Sequence, residues 1–118
     1  MSGTPQYRNT IDKQLSELVE GDLTFKNELV SVYSRYMRDI PEEFAQLVNQ
    51  KNAQGLALLD HKYKTTCQVL ALQQLSGVFK QTRSILESKP YADKVLDDYI
   101  IRVTTICNTA LAQLQELH

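Results

Sequence analysis

Few residues in this chain favour tight turns. Its 118 residues include four glycines and three prolines, too few for the many tight connections of an all-β sandwich or barrel. The two cysteines, Cys67 and Cys107, belong to no CxxC pair and to no His/Cys cluster, so no zinc-ligand spacing is present and no metal site is expected. Neither sign of charge dominates. Thirteen basic residues face 14 acidic ones, for a net charge of -1, and the basic footprint that holds nucleic acid is missing. No apolar run approaches the ~20 residues that span a bilayer. Met1–Asn9 is polar and lacks the apolar stretch of a secretory signal. Glycine-rich phosphate loops and paired catalytic carboxylates are also missing, so an autonomous enzyme is not expected. These absences together predict a cytoplasmic chain that binds neither membrane nor nucleic acid. Its cysteines are then reduced, packed as small core residues.

What is present is helical periodicity. Hydrophobic residues make up 42% of the chain and charged residues 23%, and the length suits one core. Residues 1–7 read as a loose tail and 8–118 as a single helical domain. A short helix over Tyr7–Val19 carries Ile11, Leu15 and Leu18 on one face, and Gly21 stops it. Asp22 can cap a second helix over Leu23–Arg38, with Phe25, Leu29, Val32 and Tyr36 as its inward stripe. Pro41 suits the first turn of a third helix, Pro41–Gln50, which buries Phe44, Leu47 and Val48. Asn52 caps a fourth over Asn52–Leu72, with Leu56, Leu59, Tyr63, Thr66 and Leu70 inward. A fifth, Leu72–Leu86, offers Leu75, Phe79, Thr82 and Leu86, and Pro90 ends it. The last, Tyr91–Leu117, turns Val95, Leu96, Tyr99, Val103, Ile106, Ala110, Leu114 and Leu117 inward. Amphipathic helices joined by short connections predict an all-α, up-down four-helix bundle with one or two additional short N-terminal helices.

One residue stands out against this pattern. At ~100° per residue, His61 lies on the far side of its helix from Tyr63, held out to solvent with Ala57, Leu58, Lys64, Thr65 and Gln68. Free imidazole titrates near pH 6.5, so at neutral pH much of it carries a nucleophilic lone pair. Lys64, three residues on, shares that surface and can steady a phosphoryl group on the ring through a charge-assisted contact. Tyr33, Tyr36 and Met37 fit the core better than a docking patch. Thr65 and Thr66 have no acidic or basic partner fixed nearby to activate them.

His61-Lys62-Tyr63-Lys64 followed by Thr65-Thr66-Cys67 resembles the phosphoacceptor motif of histidine-containing phosphotransfer (HPt) domains. That motif is a histidine, any residue, an apolar residue, lysine, glycine and then small residues. Phe25-Lys26-Asn27-Glu28-Leu29 is similar to the entry of the family's second helix, and Leu75 through Glu87 to the helix after the active one. The resemblance runs from Ile11 to the C-terminus. It implies a phosphorelay carrier, a monomer that exchanges a phosphoryl group between His61 and the aspartate of a response-regulator receiver domain, or accepts one from a hybrid histidine kinase. By the same resemblance Lys64 gives electrostatic support, and Ala57, Leu58, Thr65 and Gln68 form the docking rim. No cofactor is bound, and the receiver brings the Mg²⁺. Two positions depart from the pattern. Tyr63 replaces the usual leucine. Thr65 replaces the glycine, where its side chain either crowds the receiver or hydrogen-bonds the phosphoryl oxygens. Two rival readings use the same residues, an HPt-like adaptor that binds a receiver or kinase without accepting phosphate and a plain helical scaffold.

Overall fold

Asp22 and Asn52 start two helices, as their positions in the sequence predict. The Asp22 carboxylate accepts the Phe25 N–H at 3.0 Å, and the Asn52 side chain accepts the Gly55 N–H at 2.8 Å. Each satisfies an amide that the first helical turn leaves unpaired. The computed structural model describes residues 8–88 and 90–117. The expected tail over 1–7 and His118 lie outside the described residues. Six helices follow one another: α1 Arg8–Val19, α2 Leu23–Asn49, α3 Ala53–Lys62, α4 Lys64–Val69, α5 Gln73–Glu87 and α6 Asp93–Glu116. Among the described residues there is no strand.

Two boundaries differ from the sequence reading. The helices expected over Leu23–Arg38 and Pro41–Gln50 are one, the 27-residue α2, with Pro41 in its interior. Proline has no N–H to give to the carbonyl one turn back, which costs a helix interior about 3 kcal/mol. The helix nevertheless continues, because Val30, Tyr33, Met37, Ile40, Phe44 and Val48 form one buried stripe across Pro41. Breaking there would aim its halves at different neighbours. Conversely, the single helix expected over Asn52–Leu72 breaks at Tyr63, whose backbone sits at φ −104°, ψ 13°. The α2 and α4 exits use a left-handed residue, Lys51 at φ 55° and Ala71 at φ 56°. In each the next amide closes back on the helix, Asn52 N–H to Leu47 O at 3.0 Å and Leu72 N–H to Cys67 O at 2.8 Å. This is the Schellman arrangement, with a side chain where glycine is usual.

α2 packs along α6 in the opposite direction, since Lys51 at the end of one reaches Asp93 at the start of the other at 3.3 Å. α3 packs on α5, α2 also meets α3, and α5 also meets α6. α1 lies against α2, α4 and α6. One continuous cluster of buried side chains runs from Ile11 and Leu15 through Phe44, Leu56, Phe79 and Val103 to Leu114, so all six helices share a core. Most expected inward residues take part, but Leu18, Phe25 and Val95 are exposed. On α2 the true centre of the stripe is Val30–Met37–Ile40, one step round from the expected Phe25–Leu29–Val32–Tyr36. Among the described residues no helix is long and apolar enough to cross a membrane.

Candidate functional site

The site begins with Tyr63. Its ring is buried against Tyr36, edge-on at 5.5 Å between centroids, and its hydroxyl donates to Glu43 Oε2 of α2 at 2.6 Å. The other oxygen of the same carboxylate accepts Lys62 Nζ at 2.7 Å. Glu43 therefore grips both residues at the α3–α4 junction. Burial, and then the Glu43 bond, push the Tyr63 phenol well above its ordinary range, so the hydroxyl stays a donor. Lys62 thereby points to α2, away from the face that carries His61. Among the described residues Lys64 and Lys80 have no ion-pair partner.

With the junction fixed, His61 is exposed in the last turn of α3 and Lys64 opens α4. Both line a groove of about 480 Å³ between α3–α4 and α5. That volume takes a phosphoryl group together with the side chains that deliver it. Of the other residues singled out in the sequence, Ala57 and Gln68 line the same groove. Thr65 is exposed and is not among its lining residues. Leu58, 67% exposed, lines a separate concavity on the α2 side with Glu43, Leu47 and Lys62.

The far wall comes from α5 and was not legible as part of a site. Gln73, Ser76, Gly77 and Lys80 face His61 across the groove. Ser76 Oγ donates to Asp60 Oδ1 at 2.8 Å, which ties α5 to the residue before His61. Reflection about the turn after α4 would set 57–61 opposite residues near 81–85, and the break at Tyr63 shifts the observed pairing so that Ser76 meets Asp60. Cys67 also lines the groove but is buried. Burial, and then the Asp60 charge, push its thiol up to about 11, so it carries its proton at neutral pH and does not compete as a nucleophile. Among the described residues no three His, Cys, Asp or Glu side chains come together as a metal site. The groove thus presents one exposed imidazole, two ammonium groups, two side-chain amides and one carboxylate, Asp60, which accepts the Ser76 hydroxyl. Such a set can hold and shield a phosphoryl group.

Compared with known proteins, the chain matches no family model, and neither a curated protein nor a solved structure matches it significantly.

Proposed function

We propose that this chain is a histidine phosphotransfer carrier, an HPt-like four-helix bundle working as a cytoplasmic monomer. The observation that carries the reading is the exposed His61 imidazole in a groove with two unpaired ammonium groups, Lys64 and Lys80. The packing supports it as well. α2, α3, α5 and α6 contact one another in cyclic order, the neighbour relations of a four-helix bundle with α1 as the extra N-terminal helix.

In the forward step a ring nitrogen of His61 attacks the phosphorus of the receiver's aspartyl phosphate. An N–P bond forms as the P–O bond breaks, the aspartate leaves as carboxylate, and the ring proton passes to solvent. Lys64 and Lys80 offset the negative charge that arrives with the phosphoryl group. Mg²⁺ held by the receiver neutralises charge on the transferring group. Ala57 and Gln68 line the docking rim, and Leu58 and Thr65 flank it.

The test is incorporation of acid-labile, alkali-stable phosphate from a phosphorylated receiver and Mg²⁺, beside His61→Gln. Labelling lost only in the variant supports the carrier. Labelling that survives in His61→Gln removes the assignment. A receiver that binds without labelling wild type makes the chain an adaptor, and the absence of any receiver binding makes it a scaffold.

A further inference from the structure

Gly77 lies inside α5, where glycine costs a helix about 1 kcal/mol relative to alanine. Glycine is otherwise kept in a fold for a left-handed backbone or for close packing against a neighbour. Neither applies at Gly77. Among the described glycines only Gly21 has a positive φ, and a Cβ added at Gly77 meets no atom within 4 Å. Gly55 shows the contrast, since a Cβ there would come to 2.5 Å from Leu47 Cδ2 and 2.8 Å from Asn52 Nδ2. Gly55 serves the packing of α3 on α2. At Gly77 no neighbouring element claims the space of a Cβ.

Its position shows what it can serve. Gly77 borders the His61 groove on one side and, on the other, a second groove of about 380 Å³ between α5 and α6. That second groove carries Arg102, Gln81, Thr105 and Thr109, and the Arg102 guanidinium rests over the Tyr99 ring at 5.6 Å. The bare backbone at Gly77 is the saddle between the grooves. We propose that the docked partner crosses this saddle, filling the space a Cβ would take and reaching the α5–α6 groove as well as His61. The inference rests on the phosphotransfer reading and names the partner's footprint. The occupant is the receiver's acidic phosphorylation face, because the path carries three cations, Lys64, Lys80 and Arg102, against one carboxylate, Asp60, which is engaged by Ser76, and that excess matches the aspartyl phosphate and the carboxylates that hold the receiver's metal.

The experiment compares two phosphodonors, phosphoramidate and a phosphorylated receiver, on wild type, Gly77→Ala, Gly77→Gln and Ser84→Gln. Ser84 is an exposed position on α5 outside both grooves. Phosphoramidate needs no docking surface. Gly77→Ala should raise the melting temperature, since it removes a helix penalty. Gly77→Gln should slow labelling from the receiver by roughly tenfold, about 1.4 kcal/mol of lost docking, and slow labelling from phosphoramidate far less, so that the ratio of the two rates falls. Ser84→Gln should alter neither. Unchanged receiver transfer in both Gly77 variants overturns the inference, as does equal slowing with both donors, which would place the effect on His61 itself. A wild type labelled by neither donor overturns the phosphotransfer reading and this inference with it. Labelling by both donors with no response at Gly77 removes the inference alone.

Discussion

An ammonium group acts on a bound phosphoryl group through distance and direction, and Lys64 and Lys80 line the groove of His61 from α4 and α5. In the proposed carrier, Lys64→Ala and Lys80→Ala should each slow transfer or shorten the lifetime of phosphohistidine several-fold at most, worth up to about 1 kcal/mol apiece for an exposed pair. The decay rate of the labelled protein checks both, and a lifetime insensitive to Lys80 would confine the support to α3–α4. Tyr63→Phe probes a different link. Removing its hydroxyl leaves Glu43 Oε2 without the 2.6 Å donor, a loss of about 1–3 kcal/mol for a bond to a charged group, measurable by urea unfolding. His61 and Lys64 were legible because their exposure follows from helical phase alone. Asp60, Ser76 and Lys80 were not, because their relevance depends on how α5 folds back. Periodicity already sets Lys62 and Lys64, two residues and ~200° apart, on opposite sides, but it does not reveal Glu43, which holds Lys62 to α2.

At the scale of the element, the caps and most stripes were written in the chain, and both boundary errors have a physical cause. Proline marks a helix boundary only when nothing stronger spans it, and in α2 the stripe from Val30 to Val48 does. Pro41→Ala should therefore stabilise the protein. It restores a hydrogen bond and removes a steric conflict, against a gain in unfolded-state freedom, for a net of about 1–2 kcal/mol. A loss of stability in urea would show that α2 needs the local geometry proline imposes. The break at Tyr63 could not be seen in the stripe, because both halves keep their apolar faces inward. It follows from a tertiary bond to Glu43. Ala71 is the other informative position. Its φ of 56° strains a side chain, so Ala71→Gly should add about 1 kcal/mol. Gly55→Ala should do the reverse, since its Cβ would displace Leu47 and the Asn52 cap.

Across the whole molecule, the two thiols couple α4 to α6. Burial, and then the neighbouring Cys67, push Cys107 up to about 12, while Cys67 rises to about 11. Both values lie above the ordinary thiol value of 9.0, so the unfolded chain ionises first. Their stabilising contribution is complete below about pH 9 and is lost as pH rises toward the folded values, at up to about 1.4 kcal/mol per pH unit for each thiol. Denaturant midpoints between pH 8 and 11 should fall, and Cys107→Ala should flatten that fall. The order in which helices neighbour one another was beyond the sequence, because each stripe says that a face is buried and not against what.

The division at Tyr63 also splits the site by its resistance to opening. α3 is anchored by its Asn52 cap, by Glu43 and by Ser76. α4 is six residues long, has no side-chain cap at its start and is too short to persist alone. Local fluctuation therefore reaches α4 first. Native-state hydrogen exchange should show the α4 amides exchanging through a smaller opening than those of α3. Each such opening would carry Lys64 and Gln68 away while His61 stays in place, so in the proposed carrier the nucleophile is permanent and part of its charge support comes and goes.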